Sequence, residues 1–288
     1  MNRKILASAL AITAIVAPVA VSATVIRSGG STGLQLLAQK LANGYHATHH
    51  SVTITVAGGG SGAGISGANS GRFSIGDSSR LPKTGDPSGL TFTPIDKEPF
   101  VVIVNPKNKV TSLTRDQIRD IFTGVVTNWQ AVGGANAPIK VYSRVGTSGT
   151  LGTFECLFLD RSKPIGECAS SAVHVTSSAP KLGSNGLDRS AVAGNVNAIS
   201  FVTFAYTVGN KSVRGLKVGN VAPTLANVSS DTYQYSGYQF LVTKGTPSGA
   251  VADYLTWVNT SAQAKAIIKK YALALTAAQV TANTHVTP

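Results

Sequence analysis

Apolar and polar positions along the chain follow two periods, and the segments that carry each period alternate. Ser51–Ala57 alternates with a period of two and is rich in β-branched residues, which is typical of a half-buried strand. Phe100–Val104 is a continuous apolar run, as expected for a strand that is buried on both faces. Between such segments apolar residues recur at helical spacing, first between Leu34 and Leu41.

The same two patterns predict the remaining elements. Further strands are expected at Val25–Arg27, Ile139–Ser143, Ala198–Val202 and Tyr238–Thr243. Helices are expected over a small-residue segment ending near Asn69, after a capping box at Thr114–Gln117, around Phe154–Phe158, and over Pro247–Lys270 with a break near Asn259–Ser261. Strands that alternate with helices predict an α/β fold with largely parallel sheets.

The first 23 residues have the pattern of a secretory signal peptide. Arg3 and Lys4 form a short positive segment, Ile5–Val21 is an uncharged apolar stretch, and small residues flank a cleavage site near Ala23. A retained membrane anchor is the alternative, but no charged stop follows the apolar stretch. We therefore expect cleavage near Ala23 and a mature chain that is periplasmic or secreted.

Length and cysteine content constrain the architecture. Cleavage leaves about 265 of the 288 residues, which is at the upper edge of what one hydrophobic core supports, so two lobes are expected. Cys156 and Cys168 are the only cysteines of the sequence. In an oxidising compartment this pair predicts a disulfide that closes a surface loop, and two buried free thiols are the alternative.

Basic residues exceed acidic residues by 25 to 12, and the formal net charge is +13. Such a charge suits an anionic ligand, an anionic envelope surface or a nucleic acid, and it equally fits adaptation to the surroundings of the organism. Because the basic residues are scattered rather than clustered with aromatic side chains, nucleic-acid binding is disfavoured.

Four loops share one composition, in which glycine and small hydroxyl residues follow a predicted strand. They are Ser31-Thr32, Gly60-Ser61-Gly62, Ser78-Ser79-Arg80 and Ser148-Gly149-Thr150. A helix N-terminus offers unpaired N–H groups to an anion, hydroxyls add donors, and glycine permits close approach. Arg144 precedes the last loop, and its guanidinium can form paired hydrogen bonds with a tetrahedral oxyanion. The four loops together with Arg144 indicate an oxyanion site.

The sequence also resembles the phosphate-binding proteins of bacterial and archaeal ABC importers, over nearly the whole mature chain. The matching stretches are GGST (Gly29–Thr32), GGGSGAG (Gly58–Gly64), SIGDSSR (Ser74–Arg80), FVVIVNPKN (Phe100–Asn108), LTRDQIRDIFTGVVTNWQAVGG (Leu113–Gly134), SRVGTSGT (Ser143–Thr150), NAISFVTFAY (Asn197–Tyr206) and FLVTKGTPSG (Phe240–Gly249). The combination of IFTG and NW with R-x-x-x-SGT is the most specific part of this resemblance.

The resemblance implies a type II periplasmic-binding-protein fold, in which two α/β lobes are joined by two crossover strands and the ligand binds between the lobes. We expect residues 24–103 and 206–288 in the first lobe and residues 104–205 in the second. The residues expected to hold the oxyanion by their matching positions are Ser31, Thr32, Ser61, Arg144, Ser148, Gly149 and Thr150. The expected function is the capture of inorganic phosphate for the membrane permease of an ABC importer.

The chain departs from the family pattern in one loop. In other members an aspartate there accepts a proton from phosphate, whereas Ser79 stands at that position here and Arg80 follows it. We include both residues in the predicted site. A hydroxyl can donate or accept, so sulfate and arsenate stay open as ligands. Asp77 is either a substitute acceptor or, as we favour, a carboxylate on the rim or in support of the loop.

Two other functions are compatible with the same resemblance, namely a secreted phosphate-ester hydrolase and an envelope adhesion or scavenging protein. A hydrolase needs a nucleophile with a base, or a metal cluster, and the sequence contains no matching motif.

His46, His49 and His50 have no acidic or cysteine neighbours and indicate a solvated turn. Glu155 and Asp160 follow a helical pattern and are expected to be surface charges. We expect a monomeric binding protein that is not an enzyme and uses no cofactor or metal.

Overall fold

The structure, a computed structural model, describes residues 23–162 and 168–287. Apart from its last residue, the expected signal peptide lies outside the described residues. Within them the strands are β1 Thr24–Gly30, β2 Val52–Ala57, β3 Ile75–Ser78, β4 Leu90–Val104, β5 Ser112–Leu113, β6 Lys140–Val141, β7 Ser143–Arg144, β8 Lys181–Leu182, β9 Ala198–Thr203, β10 Arg214–Gly215, β11 Lys217–Val218, β12 Ser236–Lys244, β13 Leu273–Ala274 and β14 His285–Val286.

Helices connect most of these strands. They are α1 Gln35–His46, α2 Ser61–Ser70, α3 Arg115–Thr123, α4 Gly149–Phe154, α5 Asn185–Ala193, α6 Leu225–Ser229, α7 Gly249–Thr260, α8 Ala262–Ile268 and α9 Ala277–Ala282. A π-helical turn, Glu155–Leu159, continues α4. No helix within the described ranges is long and apolar enough to cross a membrane.

The strands of the main sheet follow the order β2-β1-β3-β12-β4-β9-β6. β1 pairs with β2 and β3 in parallel, whereas β12 runs antiparallel to both β3 and β4. β4 is 15 residues long and belongs to both halves of this sheet. Its residues 90–99 pair with β12, and its residues 100–104 pair with β9 in antiparallel fashion. The sheet is therefore mixed rather than largely parallel, because β12 runs against the direction of β1–β3 and β4, and β9 runs against β4.

Each half of the sheet has its own hydrophobic core. In the first half, α1, α7 and α8 bury Leu37, Leu41 and Val258 against the sheet. In the second half, a cluster of aromatic side chains around Phe154 and Phe201 fills the core, and these two rings stack with their centroids 4.0 Å apart. Each core is closed by its own helices, and β4 and β12 run between the two halves.

The predicted strands and helices are confirmed in most places. The capping box of α3 is present, with the Thr114 hydroxyl accepting from the Gln117 N–H at 3.1 Å. The break in the last long helix falls at Ser261. The expected single strand over residues 139–143 is instead split, because β6 pairs with β9 while β7 pairs with β8. His46 ends α1, and His49 and His50 follow it before β2; all three are exposed, as the solvated-turn interpretation requires.

Residues 213–233 pack with the second half of the sheet. β10 pairs with the end of β4, and β11 pairs with β5. The side chains of Leu216, Val218, Val228 and Tyr233 are buried in the same cluster as Phe100 and Phe122. The chain leaves this core only where β12 begins, with Ser236 opposite Pro99.

The predicted disulfide between Cys156 and Cys168 is confirmed. The prediction that Glu155 and Asp160 are surface charges is wrong, because both residues are buried. Glu155 accepts a hydrogen bond from the Val175 N–H at 3.0 Å, and Asp160 accepts one from the Ala172 N–H at 3.0 Å. These carboxylates are buried because they satisfy backbone donors of the loop that follows the disulfide.

Candidate functional site

Arg144 occupies the end of β7, and its side chain is 0% exposed. Its Nε donates to the Leu182 carbonyl at 3.2 Å, while Nη2 donates to the Gly183 carbonyl at 3.2 Å and to Thr32 Oγ1 at 2.8 Å. Nη1 is buried and has no hydrogen-bond partner among the described residues. Buried polar groups are nearly always paired because an unpaired one is costly. This nitrogen therefore points to an anionic ligand.

Asp188 compensates the buried charge of Arg144 from the opposite side. Its Oδ2 lies 3.1 Å from Arg144 Nε, within ion-pair distance although not aligned for a hydrogen bond, and Ser200 Oγ donates to Oδ1 at 3.0 Å. Burial raises the pKa of Asp188, and the Arg144 guanidinium opposes that rise. Because Asp188 contacts Arg144 through Nε, Nη1 stays available to a ligand while the guanidinium charge is balanced.

Hydroxyl groups from three loops lie together beside this arginine. Ser31 follows β1, Ser61 begins α2 and Ser79 follows β3. Ser31 Oγ lies 2.5 Å from Ser79 Oγ, and the Ser79 N–H donates to Ser61 Oγ at 3.0 Å. All three hydroxyls are buried, and the Ser79 hydroxyl donates to Gln239 Oε1 at 2.8 Å. The first half of the molecule therefore presents a compact group of hydroxyls, a type of group that can donate or accept.

The amino-terminal end of α4 contributes the facing side of the site. Ser148 caps this helix by accepting from the Leu151 N–H at 3.1 Å. A Cβ on Gly149 would lie 2.1 Å from Ser61 Oγ, so only glycine lets α4 approach α2 this closely. Thr150 is 1% exposed. The two helix ends are thus in direct contact.

Gly33 marks the point at which the two sides meet. A Cβ at this position would lie 2.9 Å from Ser79 Oγ, 2.9 Å from Thr150 Oγ1 and 2.8 Å from Thr203 Cγ2. Ser79 belongs to the first half of the molecule and Thr150 to the second. The hydroxyls of both halves therefore reach the same small volume.

Asn185, at the start of α5, is a residue of this site that the sequence analysis missed. It is 0% exposed, and its Nδ2 donates to Thr32 Oγ1 and to Thr150 Oγ1, each at 3.2 Å. Its Oδ1 accepts from the Thr203 N–H at 3.1 Å. The only local signal is the cap that Ser184 provides to α5, and such caps are too common to indicate a binding residue.

The structure buries all nine predicted site residues, but it engages the Arg80 guanidinium elsewhere. Both terminal nitrogens of Arg80 donate to the Asp86 carboxylate, at 2.8 and 2.6 Å. A groove of about 370 Å³ leads past Arg80 to Arg144 and Ser148, with Lys83 and Lys181 along its wall. Arg80 thus lines the groove, and Asp86 offsets part of its positive charge.

Asp77 lies in β3 and is 0% exposed, so of the two favoured roles, on the rim or in support of the loop, the position on the rim is wrong. Its Oδ1 accepts from Ser28 Oγ at 2.7 Å. Burial raises the pKa of Asp77 to about 7, against the opposing effect of the Ser28 hydroxyl. Two further buried carboxyls, Asp96 and Glu98, lie in β4, and burial raises the pKa of each well above its ordinary value.

Within residues 23–162 and 168–287, no three histidine, cysteine or acidic side chains cluster as metal ligands would. The polar groups of the site are instead an arginine, hydroxyls and an amide, which are donors suited to an oxyanion. The fold and this site together define a class of α/β binding protein in which the candidate site lies between two halves of one sheet.

Residues 17–262 match the family model described as the PBP superfamily domain, and the chain belongs to this superfamily. The fold is of the periplasmic-binding-protein type. The phosphate-binding protein PstS of Bacillus subtilis is 29% identical to the chain over 245 residues, which is 83% of this chain and 76% of that protein.

Solved structures of phosphate-binding proteins are also similar to the chain. A Clostridium perfringens structure, described as a phosphate ABC transporter substrate-binding protein with bound phosphate, is 29% identical with a TM-score of 0.79, and the match covers 88% of this chain and 100% of that chain. An ABC-type phosphate transport receptor from Vibrio cholerae is 29% identical with a TM-score of 0.66, over 87% of this chain and 99% of that chain. These findings confirm the resemblance inferred from the sequence motifs.

Proposed function

We propose that the chain is an extracytoplasmic solute-binding protein that captures inorganic phosphate and delivers it to the membrane permease of an ABC importer. The observation that carries this proposal is the buried Arg144 guanidinium, whose Nη1 lacks a partner within the described residues beside a group of buried hydroxyls. A tetrahedral oxyanion can accept from the guanidinium and exchange hydrogen bonds with the hydroxyls at the same time. The relatives named above, described as phosphate-binding proteins, support inorganic phosphate as the ligand.

The proposed ligand site comprises the nine predicted residues together with Asn185. The lobes are proposed to be residues 24–99 with 236–287 and residues 100–235, because the second core retains its members up to Tyr233 and β12 begins at Ser236. The lobes would close on the anion by rotation about β4 and β12. Contacts such as the one between Arg144 Nη2 and Thr32 Oγ1 would form on closure.

The remaining parts of the proposal concern location and partners. A signal peptide cleaved near Ala23 would deliver a monomer to the periplasm or the medium, where it would act as a binding protein and not as an enzyme. The membrane permease would recognise the closed form, and the partner ATPase would supply the energy for uptake.

Calorimetric titration tests this function. The mature protein is unfolded, dialysed and refolded to remove bound ligand, and is then titrated with phosphate and with sulfate. We expect one phosphate per chain and no hydrolysis of an aryl phosphate ester. Arg144→Ala should weaken phosphate binding at least about 100-fold, equivalent to roughly 3 kcal/mol, because a buried charge-assisted partner is lost.

The matched control is Arg72→Ala, since Arg72 is exposed and lies over the Phe73 ring. This variant should bind phosphate like the wild type. Absence of phosphate binding in the refolded wild type would contradict the function, and unchanged affinity in Arg144→Ala would contradict the site. Turnover of the ester would instead support the hydrolase alternative.

A further inference from the structure

Ser79 Oγ is hydrogen-bonded to Gln239, a residue of β12 that lies 160 positions further along the chain. The Ser79 hydroxyl donates to Gln239 Oε1 at 2.8 Å, and the two residues are 0% and 1% exposed. The amide oxygen, and not the amide nitrogen, faces the hydroxyl. A buried hydrogen bond of this kind fixes the direction in which the hydroxyl proton points.

The donors and acceptors around Ser79 can then be assigned. A hydroxyl has one proton to donate and two lone pairs with which to accept. Because the proton of Ser79 is used by Gln239, the short contact between Ser31 and Ser79 must have Ser31 as its donor. Ser31 Oγ in turn accepts from the Gly33 N–H at 3.2 Å. One lone pair of Ser79 Oγ remains. The hydroxyl cannot turn its proton towards a ligand while that proton is bonded to Gln239 Oε1.

Ser79 Oγ borders the small volume that the hydroxyls of both halves reach. Ser79 Oγ lies 2.9 Å from the point where a Cβ of Gly33 would be, and Thr150 Oγ1 lies 2.9 Å from the same point on the other side. Phosphate carries at least one proton at neutral pH and needs an acceptor for it, whereas sulfate carries none. A fixed acceptor would face an unprotonated sulfate oxygen without a hydrogen bond, which disfavours sulfate.

Among the described residues, no other buried side-chain acceptor is hydrogen-bonded to Ser79 Oγ. Asp77 accepts from Ser28 Oγ through Oδ1, and its Oδ2 is buried without a partner in the described part of the chain. Asp96 is the register partner of Gln239 across the sheet, and Glu98 follows it in β4. Both carboxyls are buried and have raised pKa values because of burial. A third carboxylate beside them would add further buried like charge, so a neutral amide is the less costly acceptor at this position.

We propose that Gln239 is the positioning residue that makes this site prefer protonated phosphate over sulfate, by holding the Ser79 hydroxyl proton and leaving the Ser79 oxygen as an acceptor for the ligand P–O–H group. This inference rests on the proposed phosphate-binding function. It assigns the selectivity to a pair of residues, Ser79 and Gln239, in different segments of the chain.

The test measures the ratio of phosphate to sulfate affinity, by calorimetry on ligand-free protein, in four variants. Gln239→Leu removes the acceptor and should lower the ratio at least about tenfold, because the freed Ser79 proton can then be donated to sulfate. Gln239→Glu keeps an acceptor oxygen; it should weaken both anions together and keep the ratio within about threefold of the wild type. Ser79→Ala should lower the ratio as Gln239→Leu does.

The double variant Ser79→Ala/Gln239→Leu decides whether Gln239 acts through Ser79. If it does, the double variant has the same ratio as Ser79→Ala alone. Gln239→Met, which keeps the volume and accepts only weakly, replaces Gln239→Leu if the latter does not fold. An unchanged ratio in Gln239→Leu, or a further fall in the double variant, overturns the inference while phosphate binding stands. A wild type that binds sulfate as tightly as phosphate overturns the inference alone, and a wild type that binds neither overturns the proposed function as well.

Discussion

At the scale of single residues, the space beside Gly33 decides how closely the two sides of the site approach. Three side chains, from Ser79, Thr150 and Thr203, lie within 2.9 Å of the position of a Cβ there. Real Cβ atoms do not tolerate such distances, so a methyl group would push the two sides apart. The absence of a side chain at this position is thus a requirement of the closed site.

Gly33→Ala should therefore weaken phosphate binding by about 10- to 100-fold, as expected for an overpacked contact of 1–3 kcal/mol. Calorimetric titration measures this effect. Gly152→Ala is the matched control, because a Cβ on Gly152 would meet nothing within 4 Å. Equal affinities for Gly33→Ala and the control would show that the anion does not bind between these side chains.

The sequence identified the residues of the site that carry a local signal. Arg144 ends a strand just before a hydroxyl-rich loop, and Ser148 caps the next helix. Asp188, Asn185 and Gln239 carry no such signal. Their roles arise from contacts between segments far apart in the chain, such as the 160 positions that separate Ser79 from Gln239. Local patterns cannot predict contacts of that kind.

At the scale of elements, β4 was only partly predicted. The apolar run Phe100–Val104 is its last third, whereas the preceding part contains Pro94 and Pro99, which are rare inside strands because proline lacks an N–H group. The sheet accommodates Pro94 next to an irregularity in register between Gln239 and Phe240. The sequence therefore does not predict residues 90–99 of β4, which pair with β12 and continue into the second half of the molecule.

The buried carboxyl of β3 should make stability depend on pH. Asp77 has a pKa of about 7 in the folded chain, above the ordinary value of an unfolded aspartate. Between about pH 4 and pH 7 the folded state holds this proton and the unfolded state does not, so stability falls as pH rises, by up to about 1.4 kcal/mol per pH unit.

Asp77→Asn removes this dependence. The melting temperature of the variant, relative to that of the wild type, should rise between pH 4.5 and pH 7.5 in scanning calorimetry. Asp253→Asn is the control because Asp253 is exposed in α7. A difference between Asp77→Asn and wild type that stays constant across this pH range would mean that the Asp77 carboxyl is ionised in the folded chain.

The disulfide joins the π-helical turn after α4 to the loop that follows. It closes a short loop between residues 12 positions apart, for which the chain-entropy relation gives a stabilisation of about 3 kcal/mol. Replacing Cys156 and Cys168 together by serine should lower the free energy of unfolding by about this amount in urea titrations. Phosphate affinity should change little, since neither cysteine belongs to the proposed site; a large loss of affinity would show that the loop supports it.

At the scale of the whole molecule, the structure joins its two halves by many contacts across the site. Gly62 donates its N–H to the Thr147 carbonyl at 3.0 Å, and Thr153 Oγ1 donates to the Ser79 carbonyl at 2.8 Å. These contacts are those of a closed arrangement. We expect the loaded protein to be compact, with a radius of gyration of about 18 Å for a mature chain of roughly 265 residues.

Small-angle X-ray scattering tests this expectation. The radius of gyration of ligand-free protein should be larger and should decrease when phosphate is added. The Arg144→Ala variant should remain expanded at the same phosphate concentration. Identical scattering of loaded and ligand-free wild type would contradict closure by rotation of the proposed lobes.

Nη1 of Arg144, which has no partner among the described residues, has a consequence for the fidelity of transport. An empty protein that closed would have to bury a cation nitrogen with nothing to bind it, and this penalty disfavours the closed shape unless cargo is present. The closed shape therefore indicates that the anion is bound. A membrane partner that recognises only the closed shape would rarely engage an empty carrier, and ATP hydrolysis would be coupled to delivery without the partner ever contacting the anion inside.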